Sequence, residues 1–159
     1  MSRVYVTMTS AVIGLVSASL AGCTTASGYF STDTSKDAAQ LDAFAGDAVA
    51  TDLIARLADH VGPGSGTIAL RQDDSAFAGS LGKQLRSLGY AVDPSATGVG
   101  AIPLAYMVDT ADGQVLVRLT TSSVEIGRTY SISSGVALPA SPVSVMRRAE
   151  ATRTGYELD

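Results

Sequence analysis

One short stretch of the sequence combines residue types in an order that supports a specific reaction. Leu20, Ala21 and Gly22 precede Cys23, so an aliphatic residue and two small residues come before a thiol. This order is typical of a lipobox, in which the small residues fit the narrow cleft of a signal peptidase. The thiol of Cys23 then takes a diacylglycerol, and the amine freed by cleavage receives a fatty acid such as palmitate. We therefore predict cleavage before Cys23 and lipidation of that residue.

The residues before the lipobox have the length of an export signal. Residues 11–20 (AVIGLVSASL) are apolar, and Arg3 is the only charged side chain before them. Ten helical residues span about 15 Å, half of a bilayer core of about 30 Å, so the run is too short to cross a membrane. Because Cys23 is the only cysteine, an intrachain disulfide is impossible. The alternative is a buried cysteine after a weak N-terminal helix.

The remaining candidates for chemistry have simpler structural explanations. His60 is the only histidine, and it stands at the end of a predicted helix, where it suits the helix dipole. Asp73 and Asp74 fit half of a carboxylate pair or a cation site, but helix capping explains them better. Residues 62–67 (GPGSGT) lack the lysine of a phosphate-binding loop and precede a strand. We interpret them as a linker.

The other charged residues that were considered for chemistry also have structural explanations. Asp109 and Asp112 flank a predicted turn, and Arg118 and Arg128 are predicted to be solvated on strands, with a partner-facing patch as the alternative. Zinc normally needs several histidine or cysteine ligands, and none remain once Cys23 is acylated. We therefore predict no catalytic residue, no metal and no cofactor beyond the lipid on Cys23.

Composition and charge limit the classes of function. The chain has 159 residues, 46% hydrophobic and 16% charged, which fits one modest folded domain. The formal charge is −4, and loss of Arg3 with the signal peptide brings the mature chain near −5. No basic face is apparent, which argues against direct DNA binding.

The first half of the mature chain predicts a tether, two helices and short strands. Residues 24–36 are rich in Gly, Ser and Thr and are typical of a flexible tether. Residues 37–60 predict a helix, with Leu41, Phe44, Ala45 and Ala48 on one face and an Asp52–Arg56 pair on its surface. Residues 67–70 predict a strand.

A second helix follows Asp73 or Asp74 as its cap. Its apolar stripe comprises Phe77, Leu81, Leu85 and Leu88, and Gly89 ends it. Residues 90–92 predict another strand. The order strand, helix, strand indicates a right-handed crossover with parallel strands.

From Ile102 onward the apolar period changes to two. Three alternating segments, joined by Asp112 and Gly113 and by a polar turn at residues 121–123, predict an antiparallel meander. Pro103 is expected at a strand start or an edge. The rest is less regular, with a short strand near residues 143–146 and a loose end.

The predicted fold class is therefore α+β, with two helices packed on a mostly antiparallel sheet made of a βαβ unit and a three-strand meander. The predicted organisation is a signal peptide (1–22), a lipidated tether (23–36), an α+β domain (37–135) and a partly disordered C-terminal tail (136–159). No internal repeat is visible.

Several segments resemble the TrbH family of conjugal transfer lipoproteins. They are residues 76–93 (AFAGSLGKQLRSLGYAVD), 102–109 (IPLAYMVD), 115–135 (VLVRLTTSSVEIGRTYSISSG) and 139–142 (PASP), together with the lipobox LAGC and the Ser/Thr-rich tether. The resemblance covers nearly the whole mature chain. Each motif is structural and weak alone, but their order and spacing are more specific.

The resemblance implies a component of the mating-pair formation apparatus, a type IV secretion channel that passes plasmid DNA between cells. The implied partners are other channel components and, through the lipid, a membrane, without nucleic acid or a small-molecule substrate. Thr24 is not the aspartate that commonly marks inner-membrane retention, so we expect the periplasmic side of the outer membrane. The alternatives are a surface or entry-exclusion lipoprotein and a generic periplasmic envelope-binding lipoprotein; an enzyme is not expected.

Overall fold

The structure, a computed structural model, describes residues 31–64 and 66–148. In chain order its elements are β1 (Lys36–Asp37), α1 (Ala43–Val61), β2 (Thr67–Leu70), α2 (Ala76–Ser87), β3 (Ala91–Val92), β4 (Ala101–Ala111), β5 (Gln114–Thr120), β6 (Val124–Ser133), β7 (Val136–Pro139) and β8 (Ser144–Arg147). Leu20, Ala21, Gly22 and Cys23 lie outside the described residues. Within the described ranges, the helices are too short or too polar to cross a bilayer.

The strands form one sheet in the order β3-β2-β4-β5-β6-β7. β1 also pairs with β4, at Met107 and Val108, beyond the stretch that β2 occupies. In the same way β8 pairs with β6 beyond β7. The pairs among β1, β2, β3 and β4 are parallel, and those from β4 to β8 are antiparallel. The predicted α+β fold, with two helices on a mostly antiparallel sheet, is confirmed.

The core lies between the two helices and one face of the sheet. Alternate residues of the meander point into it, as a period of two requires. Its largest fully buried side chains are Tyr106, Tyr130, Phe77, Leu53, Ile54, Leu57, Ile68, Leu70, Leu81, Leu85, Leu104 and Leu119. Two of these are tyrosines, so the core must also supply partners for two hydroxyl groups.

The predicted βαβ unit and meander are both present. β2 and β3 flank α2 and pair in parallel, and β4, β5 and β6 are successive antiparallel strands. Asp112 and Gly113 both have positive φ, 51° and 74°, as the tight turn of a two-residue hairpin requires. Pro103 lies near the start of β4, where β5 has not yet begun to pair, so its missing N–H costs no bond to β5.

The first helix begins later than the sequence predicts. Residues 37–42 are not helical, because Asp37 belongs to β1 and Asp42 is the N-cap, whose carboxylate accepts the N–H of Ala45 at 2.8 Å. Leu41 and Ala45 are buried as expected, but Phe44 is 69% exposed and Ala48 is also exposed. The predicted grouping of Phe44 and Ala48 with the core face is therefore wrong, because the helix turns that side to solvent.

The second helix has a different cap from the predicted one. Ser75, rather than Asp73 or Asp74, is the N-cap, and its hydroxyl accepts the N–H of Ala78 at 3.2 Å. Phe77, Leu81 and Leu85 are fully buried, whereas Leu88 follows the helix and is 41% exposed. The helix terminates as predicted just before Gly89, which follows the C-cap Leu88 and has a φ of 89°. Two bonds close the end, Gly89 N–H to Arg86 at 3.0 Å and Tyr90 N–H to Leu85 at 3.1 Å.

The chain continues in the sheet beyond residue 135. β8 corresponds to the short strand expected near residues 143–146, but the sequence did not indicate β7. β7 ends at Pro139, which suits the edge of a sheet because proline donates no backbone hydrogen bond. Both strands pair with β6, so Val136–Pro139 and Ser144–Arg147 are part of the sheet. Residues 149–159 lie outside the described part.

Candidate functional site

The described chain starts at residue 31, eight residues after Cys23, and its first contacts show how this segment joins the domain. The backbone N–H of Tyr106 donates to the hydroxyl of Ser35 at 2.9 Å. Lys36 and Asp37 then pair with β4 as β1, and Ala38 N–H donates to the carbonyl of Val108 at 2.8 Å. The segment is thus hydrogen-bonded into the sheet before α1 begins.

Asp73 is the acceptor at the centre of this junction. Its Oδ2 accepts the backbone N–H of Asp37 at 2.7 Å, and its Oδ1 accepts that of Ser75 at 3.1 Å. The Tyr106 hydroxyl also donates to Oδ1. Asp73 therefore joins β1, the start of α2 and β4. We call Ser35, Asp37, Asp73, Ser75 and Tyr106 the docking network.

Asp37 is the buried carboxylate of the docking network. It is 8% exposed, and its Oδ2 accepts the N–H of Leu41 at 3.0 Å. Its Oδ1 is buried and has no hydrogen-bond partner among the described residues. Burial raises the pKa of Asp37 above its ordinary value of 3.8, because the backbone N–H donors only partly offset desolvation and Asp73 adds like charge. The ionised form is therefore disfavoured at this position.

The other titratable groups of the network shift for identifiable reasons. Burial alone would raise the pKa of Asp73, but hydrogen bonds from Ser75, Tyr106 and the Asp37 backbone together lower it below 3.8. Burial and the bond to Asp73 raise the pKa of Tyr106 to about 12. The Tyr106 ring also packs edge-on against Phe77, with centroids 5.3 Å apart at 83°, which fixes the position of its hydroxyl.

An open pocket of about 290 Å³ adjoins the network. It is lined by Asp37, Gln40, Leu41, Asp73, Asp74, Ser75 and Ala76. Its carboxylates are the predicted Asp73 and Asp74 together with Asp37, which the sequence did not single out. In the described part of the chain, no group of three or more His, Cys, Asp or Glu is placed to hold a metal ion.

A second polar network joins α1 to the far edge of the sheet. Asp52 Oδ2 accepts Arg128 Nη1 at 2.8 Å and the Tyr130 hydroxyl at 2.7 Å. Arg128 Nε also donates to the carbonyl of Ser141, at 2.9 Å, in the β7–β8 connection. Burial and the Asp52 carboxylate raise the pKa of Tyr130, so it remains a hydroxyl donor.

This network corrects two sequence predictions. Arg128 is not solvated, since its side chain is only 17% exposed and is on the core face beside Tyr130. Asp52 pairs with Arg128 on the sheet rather than with Arg56 on its own helix. Arg118 is on the opposite face, 40% exposed, with its Nη1 3.9 Å from Glu125 Oε1, which agrees with the prediction of a solvated residue.

The other predicted positions are structural. His60 is in the last turn of α1, as predicted, and its Nδ1 lies 2.6 Å from Arg147 Nη2. Since a guanidinium has no acceptor, Nδ1 must be the unprotonated acceptor in this contact. Gly62 is the C-cap of α1, and residues 62–64 lead toward β2 as a turn. Asp112 is in the hairpin turn, and Asp109 is within β4.

Comparison with known proteins places the chain in a family. The profile described as "Conjugal transfer protein TrbH" matches residues 24–149. The chain belongs to the TrbH family. A probable conjugal transfer protein TrbH of Sinorhizobium fredii (strain NBRC 101917 / NGR234) is 39% identical over 136 residues, which is 81% of this chain and 90% of the relative. The resemblance seen in the sequence is thus confirmed, and no solved structure matches the chain.

The TrbH match covers the whole described domain. It begins at residue 24, directly after Cys23, and ends at residue 149, just beyond β8. It therefore includes the segment predicted to be a tether, the docking network and β7 and β8. The sequence missed Asp37, Asp52, Tyr106 and Tyr130 as network residues. Tyr106 and Tyr130 occupy core-facing positions of the predicted meander. Because a buried hydroxyl needs a hydrogen-bond partner, these two positions could have indicated polar networks in the core.

Proposed function

We propose that this TrbH-family protein is an outer-membrane lipoprotein that acts as an assembly or structural component of a conjugative type IV secretion apparatus. In this proposal the signal peptide is residues 1–22 and Cys23 carries the lipid. The domain then stays on the periplasmic face, and its partners are other components of the channel. No catalytic step is assigned to it.

The observation that carries the proposal is the way the segment after Cys23 joins the domain. Only residues 24–30 separate Cys23 from the described chain, and β1 with the docking network fastens Ser35 and Asp37 to β4. Acylation confines such a domain to the membrane surface and raises its effective concentration beside a partner there. Two acyl chains anchor stably at about 0.8 kcal/mol per buried CH₂.

A mating assay tests the proposal. The gene is deleted in the donor, and transfer is measured after complementation with the wild-type chain or with Cys23→Ser. We expect transfer to be lost on deletion, restored by the wild type and not restored by Cys23→Ser. Immunoblots of total donor protein control for expression of the variant.

The same assay distinguishes an exclusion protein. Wild-type protein is expressed in the recipient, and the frequency of transfer into those cells is measured. Normal transfer from the deleted donor, combined with blocked transfer into the expressing recipient, would show exclusion and contradict the channel role. Normal transfer in both arms would contradict both roles.

A further inference from the structure

A ten-residue segment ahead of α1 lies on the domain with few apolar contacts. Residues 31–40 (STDTSKDAAQ) contain no apolar side chain larger than alanine. Of these ten residues Asp37 is the one that is buried, and Ala39 is half-buried against the core. The first large apolar side chain is Leu41, which is 6% exposed and belongs to the core. We call residues 31–40 the strap.

Polar contacts hold the strap in place. Its two β1 residues pair with β4, the Tyr106 N–H donates to the Ser35 hydroxyl, and the Asp37 N–H donates to Asp73. Toward α2 the strap borders the open pocket of about 290 Å³ rather than closely packed side chains. Because water can replace hydrogen bonds at this edge and little apolar surface is buried, the strap should open at a much smaller free energy than the core.

Two features of the docked strap are unfavourable and disappear when it is released. Asp37 Oδ1 is buried without a hydrogen-bond partner among the described residues, and such burial of a carboxylate oxygen costs desolvation free energy. Gln40 has a φ of 54°, in the left-handed region where side chains other than glycine are disfavoured. Water would solvate the oxygen, and the backbone would relax, once the strap left the sheet.

The first helix does not need the strap for its cap. The N-cap Asp42 follows the strap, its carboxylate accepts the Ala45 N–H and its carbonyl accepts the Gly46 N–H, each at 2.8 Å. At this junction release of the strap breaks the bond from the Leu41 N–H to Asp37. The cap and the core that begins at Leu41 can therefore stay in place while the strap opens.

We propose that the strap detaches reversibly from β4 and so sets the length of the tether between Cys23 and the domain. This inference rests on the proposed lipidation of Cys23. The chain between Cys23 and the docked strap is residues 24–30, which span at most about 25 Å at about 3.6 Å each. Release extends this tether to residues 24–40, which span at most about 61 Å. The domain then reaches partners more than twice as far from its lipid.

Digestion with the lysine-specific protease Lys-C measures the opening, because Lys36 and Lys83 are the two lysines of the chain. Lys36 is in β1, paired with Met107, whereas Lys83 is in α2. A protease cleaves a segment that has detached from its element, so cleavage after Lys36 measures release of the strap and cleavage after Lys83 measures unfolding of the domain. The full-length, processed protein is reconstituted into phosphatidylcholine vesicles, and flotation separates anchored from released domain.

Two variants and a matched control connect cleavage to the contacts of the strap. Asp73→Ala and Ser35→Ala each remove one acceptor that holds the strap to the domain. Asp74→Ala is the control, since Asp74 lines the same pocket and is exposed but accepts no hydrogen bond from the strap in the described chain. Each rate is divided by the rate for the same variant unfolded in urea, which corrects for a changed residue beside the cleavage site.

We expect cleavage after Lys36 to release the domain from the vesicles while Lys83 stays intact. Asp73→Ala and Ser35→Ala should raise the rate at Lys36 by about fivefold or more, and by more than they raise the rate at Lys83. The rate for Asp74→Ala should be within about twofold of that for the wild type.

Two results would overturn the strap. Equal rates at Lys36 and Lys83 would show that residues 31–40 open only with the whole domain, and equal rates at Lys36 in all four proteins would show that these contacts do not control the opening. Protein that does not float before digestion would contradict the lipid anchor and the tether. The same digestion in solution would then still show whether the strap opens separately from the domain, so the two failures are distinguishable.

Discussion

At the scale of single residues, two aspartates connect parts of the chain that are distant in sequence. Asp73 accepts donors from β1, from the start of α2 and from β4. Asp52 accepts Arg128 and the Tyr130 hydroxyl from β6. Each aspartate satisfies a buried tyrosine hydroxyl that would otherwise cost free energy. The carboxylates therefore support packing, and the apolar residues alone do not define this core.

The docking network predicts opposite pH dependences for its two carboxylates. Because the native pKa of Asp37 is raised, its contribution to stability is complete below 3.8 and is lost as the pH rises through the native pKa. The native pKa of Asp73 is lowered, so its contribution is present above 3.8 and is lost as the pH falls through the native pKa. At neutral pH, Asp37→Asn should be at least as stable as the wild type. Asp73→Asn should be less stable by about 1–3 kcal/mol.

Urea unfolding of the lipidated chain in mild detergent, followed by circular dichroism at several pH values, measures both effects. The advantage of Asp37→Asn should shrink as the pH falls toward 3.8, and the deficit of Asp73→Asn should shrink below that value. Each variant is the control for the other, because both remove one carboxylate from the same pocket. Parallel pH profiles for the two variants would contradict the assignment.

At the level of the elements, the loops before β2 and β4 lie so close together that one position between them must be glycine. Gly66, before β2, has a φ of 82°, and a Cβ there would lie 2.8 Å from the carbonyl oxygen of Gly100, before β4. Backbone atoms cannot move aside as a flexible side chain can. The start of β2 and the start of β4 therefore meet at a distance that requires glycine at position 66.

Gly66→Ala and Gly98→Ala separate this contact from backbone strain. Gly98 has a φ of 85°, and a Cβ there would meet nothing within 4 Å. Both substitutions should cost about 1–2 kcal/mol for the left-handed backbone, and Gly66→Ala should cost about 1–3 kcal/mol more from overpacking. Urea unfolding of both variants measures the difference. Equal losses of stability would show that the contact with Gly100 relaxes without cost.

At the level of the whole molecule, the stability of the folded domain and the location given by the proposed lipid on Cys23 are separate properties. The core of the described domain contains residues from both helices and from β2 to β6, and Cys23 precedes all of them in the sequence. Folding therefore depends on the core, whereas location is proposed to depend on the acyl chains. A change at Cys23 should affect the second property only.

Cys23→Ser tests this separation. The variant should unfold at the same urea concentration as the wild type, within about 0.5 kcal/mol, but should leave the membrane fraction after a salt wash. Fractionation with immunoblotting measures the location, and Asp47→Asn, which breaks the exposed Lys83–Asp47 pair, is a control that should stay in the membrane. Retention of Cys23→Ser in washed membranes would contradict the lipid anchor.

Elements with local signals were predictable from the sequence. The period of two in β4, β5 and β6, the Asp112 and Gly113 turn, the stripe of α2 and the glycine that ends it depend on neighbours a few residues away. These signals, with the order of motifs that resembles the TrbH family, were enough for the fold class and the family. The lipobox is local too, and lipidation of Cys23 stays a prediction.

Features that depend on distant partners became visible only in the folded chain. Asp37 became a strand residue because β4 and Asp73 offered hydrogen bonds 36 residues and more away, which outweighed the helical pattern around it. Arg128 is held against Asp52, 76 residues away, so its alternation on a strand could not show whether it was solvated. β7 is a strand because the backbone of β6 is available to pair with it. Such pairings depend on which surfaces meet in space, and no local pattern encodes that.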